Sequence, residues 1–244
     1  MMTSGSALFL LALDTSGPRG SVAVLRHGGD GSPEPGGDVV LARETIGEGM
    51  RHGVDLFPAM ARALEAASVA PRDVGLVAVG TGPGSYTGLR VGITAARAFA
   101  YAAGARLLGV PSCDAWALAT EAAPHDDRML AVVLDAKVKA VYLALYRNDG
   151  RAWVRYDGPT LMQPAEAASK IPSRARVVGD GVAPYADIFA PHAADAAPGH
   201  ADAADVARLA LLRDDRGERD PIEQVVPLDL RRTDAELRQE ARNG

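Results

Sequence analysis

Two segments of this chain echo each other in the same order, and no other sequence feature constrains the fold as strongly. Leu8 to Leu13 is an apolar run closed by Asp14; a Gly/Pro turn follows, and Ser21-Val-Ala-Val-Leu-Arg26 returns as a second strand-like run. Met129 to Leu134, Asp135-Ala-Lys137 and Ala140 to Arg147 repeat that succession of strand, aspartate turn, strand and arginine. Downstream, Ala78-Val-Gly-Thr-Gly-Pro-Gly-Ser-Tyr86 has its counterpart in Val177-Val-Gly-Asp-Gly-Val-Ala-Pro-Tyr185. Short apolar runs bounded by Gly, Pro and Asp are the mark of strands. A duplicated unit within 244 residues predicts two halves meeting near residues 122–127.

Helical periodicity fills the space between these strands. Leu56, Met60 and Leu64 recur every four positions from Val54 to Ala67, with Phe57 beside them, and Pro58 must lie in the first turn or kink the helix. A buried strand over Val74 to Gly80 leads to a second helix from Ser85 to Ala103. A strand at Arg106 to Val110 and a helix from Ser112 to Glu121 complete the first half. A third strand, Val39 to Thr45, follows a Gly/Pro/Asp-rich loop tip at Gly28 to Asp38. Strand hairpins succeeded by alternating helices and strands imply mixed sheets flanked by helices, an α/β architecture.

Composition removes several classes of function. With 48% hydrophobic and 23% charged residues the chain can build a core, which excludes disorder. Its formal charge of −5 repels nucleic acid, so it is no stand-alone RNA binder. Cys113, the single cysteine, cannot form an internal disulfide, which fits a reducing compartment and predicts a cytoplasmic location. The apolar run at residues 7–13 lacks a basic flank and ends in Asp14, so it reads as a strand rather than a signal peptide, and no run approaches the ~18 residues of a membrane span.

Candidate chemistry is sparse. Gly80 to Gly88 at a strand-to-helix junction resembles a phosphate loop, yet it lacks the lysine of a Walker loop and has Thr87 where a dinucleotide fingerprint needs a third Gly or Ala. A tight turn with a Ser or Thr cap is favoured. Asp14 and Asp135 could hold a metal or act as bases, but an aspartate after a strand commonly caps its own turn. The histidines, His27, His52, His125, His192 and His200, have no metal-ligand spacing, and Cys113 lies in no nucleophile motif.

One stripe stands out. Gly84, Gly88, Gly92, Ala96, Ala100 and Gly104 recur every four residues, although interior glycine costs a helix ~1 kcal/mol relative to alanine. Small residues permit another backbone to approach closely, either the chain's own sheet or a partner's helix, with Val91, Ala95 and Phe99 flanking the contact. A four-residue stripe turns ~40° per step, so both neighbours can share it.

These residues resemble the TsaB family, the non-catalytic partner subunits of the bacterial tRNA threonylcarbamoyladenosine synthase. The likeness is carried by Leu11-Ala-Leu-Asp-Thr-Ser16, His52-Gly-Val-Asp-Leu-Phe-Pro58, Gly82-Pro-Gly-Ser-Tyr-Thr-Gly-Leu-Arg-Val-Gly92, Leu108-Gly-Val-Pro-Ser112, Leu134-Asp135 with Val141-Tyr142, and Gly179-Asp-Gly181. The resemblance implies an actin-like ATPase fold of two tandem ribonuclease-H-like lobes, residues 1–123 and 124–231, with a frayed tail at 232–244. The catalytic relative, TsaD, has two metal-binding histidines four residues apart where this chain has Ser112 and Trp116, so the resemblance implies a pseudo-enzyme without cofactor or metal.

By the same resemblance the partner-facing helices carry His52, Leu56, Phe57, Met60, Tyr86, Gly88, Val91, Gly92, Ala95, Ala96 and Phe99. They would pair with TsaD in the working complex, or with a second copy when the chain is alone. The ATPase TsaE and the tRNA would be met only through that complex, and no membrane is involved. TsaD carries the threonylcarbamoyl group to the adenosine beside the anticodon, and this chain would promote its turnover. Two departures from the family pattern are the long loop at 28–37 and Pro227-Leu-Asp-Leu-Arg231, where Asp229 replaces an aromatic residue. Competing readings are a metal-dependent glycopeptidase-like enzyme and an actin-like nucleotide-binding enzyme, the latter suggested by the two Asp turns.

Overall fold

The computed structural model describes residues 7–28, 37–47, 52–121, 129–137, 139–195, 201–228 and 230. Strands β1 (Leu8–Asp14), β2 (Gly20–His27) and β3 (Asp38–Ile46) form a meander, followed by α1 (His52–Ala66), β4 (Val74–Gly82), α2 (Tyr86–Ala103), β5 (Arg106–Pro111) and α3 (Ser112–Ala119). The second half runs β6 (Met129–Asp135), β7 (Val141–Asn148), β8 (Trp153–Met162), α4 (Pro164–Lys170), β9 (Arg176–Val178), α5 (Ala186–Phe189) and α6 (Ala203–Asp215).

The repeat seen in sequence is a repeat in space. The first sheet has order β3-β2-β1-β4-β5 and the second β8-β7-β6-β9. In each, the first strand is antiparallel to its hairpin partner (β1 with β2, β6 with β7) and parallel to the strand after the crossover (β4, β9). These are the two tandem mixed sheets expected of the actin-like architecture. The echo between Ala78 to Tyr86 and Val177 to Tyr185 therefore marks equivalent strand ends. Beyond them the halves diverge: Ser85 caps the 18-residue α2, whereas Pro184 and Pro191 break the corresponding segment into short turns around α5.

Side-chain alternation on β1 decides the layering. Leu11 and Leu13 face α1 and α2 with Val77 and Ile93, while Leu10 and Ala12 face α6 with Leu76 and Leu108. In the second sheet Leu130, Val132 and Leu134 meet Cys113 and Ala117 of α3, and Ala131 and Val133 meet Ala167, Ile171 and Phe189. Two helices thus cross over: α6 follows the second sheet in sequence but covers the first, and α3 follows the first but reaches the second through Cys113 and Ala117 while Ala115 stays against the first. They pack on each other between the sheets.

Helix α6 has no counterpart in the sequence reading above. It is alanine-rich, with Ala203, Ala204, Ala207 and Ala210 fully buried, and its start is fixed by a capping box between Asp202 and Asp205. Pro58 lies inside α1 at its seventh residue, beyond the first turn where a proline is most easily accommodated. The expected division at 123/124 falls among residues 122–128, which with Asp229 and the tail at 232–244 lie outside the described residues. Among the described residues no helix is long and apolar enough to cross a membrane.

Candidate functional site

The turn after β1 docks on the start of α2, and this contact uses the glycine stripe. Thr15, completely buried, donates its hydroxyl to the Gly88 carbonyl at 2.7 Å, and the Ser85 amide donates to the Ser16 carbonyl at 2.7 Å. A Cβ on Gly92 would collide with Thr15 Oγ1, and one on Gly84 would collide with the Ser16 carbonyl. The glycines are small because this chain's own turn fills the space beside them. Asp14 Oδ1 accepts the Ser16 amide at 2.8 Å, fixing the turn in the capping role favoured from sequence. Ser85 is the N-cap of α2, its hydroxyl accepting the Gly88 amide at 3.3 Å.

This geometry divides the expected partner residues into a buried and an outward group. Leu56, Met60, Gly88, Gly92, Ala95 and Ala96 are buried on the α1/α2 side of the first sheet, where they pack within the chain. Val91 and Phe99 are half-buried against the same cluster. What remains outward is Phe57, 56% exposed, and Tyr86, 40% exposed, whose ring lies 5.7 Å from the Arg90 guanidinium. Val54, which sequence reasoning left out, is 65% exposed on the same helix as Phe57. The side chain of His52 lies outside the described residues.

Between the two sheets a cavity of about 110 Å³ is lined by Asp14, Ser16, Arg19, Trp116, Asp135 and Asp180. The second half repeats the aspartate turn, with the Lys137 amide donating to Asp135 Oδ1 at 2.8 Å and its ammonium to Asp135 Oδ2 at 2.7 Å. That hydrogen bond raises the Lys137 pKa. Asp180 accepts the Asp135 amide at 2.9 Å. Burial, and then repulsion from Asp135 and Asp14, push the Asp180 carboxyl above its ordinary value, against the opposing pull of the Asp135 amide and Lys137. Close approach explains its neighbours: Gly179 has φ +121°, and a Cβ there would strike the Val133 carbonyl. The three carboxylates come together, yet each is engaged by the backbone of a strand-end turn. Among the described residues no group of His, Cys, Asp and Glu has an arrangement that could hold a metal ion.

The positions at issue in α3 are settled locally. Ser112 is fully buried and its hydroxyl accepts the Gly82 amide at 3.2 Å, tying α3 to the end of β4. Trp116 forms a wall of the cavity one turn later. Cys113 is buried as well; burial, reinforced by Asp114, pushes its thiol up to about 11, which suits a structural rather than a nucleophilic cysteine. Of the histidines, His27 bonds Asp38 at 2.7 Å, and His125 and His200 lie outside the described residues.

A wider hollow of about 570 Å³ lies between α3, the β7–β8 hairpin and α6, walled by Leu118, Trp153 and Leu212. At its floor the Tyr146 hydroxyl donates to Asp114 at 2.7 Å, with the Arg155 Nε 3.3 Å from the same carboxylate. Sequence reasoning missed this group because its members come from α3, β7 and β8 and share no spacing.

Residues 48–199 match the family model described as TsaD, tRNA N6-adenosine threonylcarbamoyltransferase. The chain is 33% identical over 140 residues to the Bacillus subtilis tRNA threonylcarbamoyladenosine biosynthesis protein TsaB, a match spanning 57% of this chain and 55% of that protein. It is 32% identical over 184 residues to an uncharacterised protein of Mycobacterium tuberculosis, covering 74% of this chain and 75% of that one. The solved structure of YeaZ from Pseudomonas aeruginosa, 24% identical, superposes with a TM-score of 0.70 over 91% of this chain and all of that one, a likeness of fold.

Proposed function

Since the chain belongs to the TsaD family, and within it to the TsaB type, we propose that it acts in tRNA threonylcarbamoyladenosine biosynthesis as a non-catalytic subunit that binds and activates a TsaD-type transferase. The observation that carries this reading is the pair Ser112 and Trp116. They stand where the transferase pattern has two histidines, and one is locked to the Gly82 amide while the other walls the cavity. Neither side chain offers the imidazole nitrogen that a zinc or iron ion needs. Asp14 and Asp135, the groups that suggested a nucleotide-binding enzyme, are bound into their own turns.

The partner surface in this reading is the outward side of α1 and α2, centred on Phe57 and Tyr86, with the buried glycines and alanines as the rigid spine behind it. The same surface would pair two copies when no transferase is present. TsaE and the tRNA would be engaged only through the assembly, in the cytoplasm. The test is to mix the purified chain with TsaD from the same organism and to measure the mass of the product and the modification of tRNA. A one-to-one complex with faster turnover than TsaD alone is expected, with no modification by this chain by itself. Phe57→Asp, at a half-exposed position, should abolish the complex while leaving the melting temperature within a few degrees of wild type. Modification by the isolated chain, or an intact complex with Phe57→Asp, overturns the corresponding part of the proposal.

A further inference from the structure

The first sheet ends on β5, which has β4 on one side and, among the described residues, no strand on the other. At its middle, Gly109 has its backbone amide and carbonyl satisfied by two side chains, Asp220 from the segment after α6 and Arg213 from the last turn of α6. Its amide donates to Asp220 Oδ2 at 3.0 Å, and its carbonyl accepts from Arg213 Nη1. The two side chains are themselves joined by hydrogen bonds of 2.9 and 3.1 Å, and Arg213 Nε also holds Glu218 at 2.7 Å. An acceptor and a donor thus stand where a neighbouring strand's carbonyl and amide would be.

Beyond Asp220 the segment crosses toward α2 and the end of β4. Arg97 donates to the Glu223 carbonyl, Val225 is buried in the first lobe's core, and the Leu228 amide donates to the Thr81 carbonyl at 2.8 Å. Burial opposes it, but the hydrogen bonds from Arg213 and Gly109 hold the Asp220 carboxyl below its ordinary value, so the pair stays charged at neutral pH.

An open strand edge is a template for another strand. We propose that Asp220 and Arg213 are an edge guard: they take up the outward groups of Gly109 on β5 and keep a second copy of this chain from adding there. A second copy is the occupant because β5 laid antiparallel on another β5 with Gly109 opposite Gly109 lets the two residues exchange both hydrogen bonds, closing a two-fold pair. The outward groups of Gly109 are the ones that Asp220 and Arg213 now satisfy.

Asp220→Ala tests this. Amide exchange at Gly109 should rise about tenfold or more in dilute solution, with the central β1 amides unchanged. On raising the protein concentration, light scattering should detect a species of twice the wild-type mass, and protection at Gly109 should return as it forms. Asp220→Asn keeps an oxygen for Gly109 but loses the charged pair, and should give a smaller change in both readings; it also serves if Asp220→Ala does not fold. Unchanged exchange at Gly109 in both variants overturns the guard. Faster exchange with wild-type mass at every concentration overturns the second copy as occupant, and doubled mass without renewed protection overturns β5 as the place of contact.

Discussion

Single atoms decide the role of the glycine stripe. Gly92→Ala adds one methyl group against Thr15 Oγ1 and disturbs the bond from Thr15 to Gly88, so it should destabilise the protein by about 1–3 kcal/mol despite alanine's better helix propensity. Gly53, also helical, has open space where its Cβ would be, and Gly53→Ala should stabilise by up to ~1 kcal/mol. Urea denaturation of the two variants gives the signs, and stabilisation by both would mean that the stripe is not packed as described. The sequence exposed the stripe and its cost, but not the neighbour that offsets it, because Thr15 is 73 residues from its acceptor.

Asp180 makes a second residue-level prediction. Its native carboxyl titrates above the ordinary value, so its contribution to stability is complete below the ordinary carboxylate pKa and is lost as pH rises through the raised native one. Asp180→Asn retains an acceptor for the Asp135 amide and removes the repulsion from Asp14 and Asp135. The variant should melt higher than wild type at pH 7, and its melting temperature should vary less with pH in that window. A lower melting temperature at pH 7 would show that the charge on Asp180 stabilises the native state.

At the scale of elements, strands and amphipathic helices were legible and the crossing of α3 and α6 was not. β1, β2, α2 and β5 match their expected ranges to within about two residues, because turn residues and apolar periodicity mark them locally. The alanine stripe of α6 gives little contrast between faces, and its partner sheet is formed by residues about 90 to 200 positions earlier. That crossing makes a prediction for the element itself. Residues 1–121 alone would leave Leu10, Leu25, Leu76 and Leu108 without the helix that covers them. The fragment should associate or lack dispersed amide resonances, and co-expression with residues 201–230 should restore a soluble, dispersed species. A monomeric, well-dispersed 1–121 fragment would show that α6 is dispensable.

For the whole molecule, α3 and α6 lie between the two sheets and touch both each other and the sheet of the opposite half, so the two sheets share one interior layer. The cavity with Asp14, Asp135 and Asp180 opens beside that layer, where the two aspartate turns meet. The proposed partner surface lies on the far side of the first sheet, on α1 and α2. That placement separates the proposed partner surface from the cavity between the aspartate turns. The turn that Thr15 and Ser16 clamp to α2 joins that helix to the cavity wall, which Ser16 lines.

The sequence by itself determined the duplication, the succession of strands and helices in the first half and the two aspartate turns, because each is written in local patterning or in residue identity. Only the tertiary structure decided which face of α2 is outward, which sheet each of α3 and α6 covers, and what closes the edge of β5. Those depend on contacts between residues far apart in the chain, and a stripe of small side chains permits close approach without specifying what approaches.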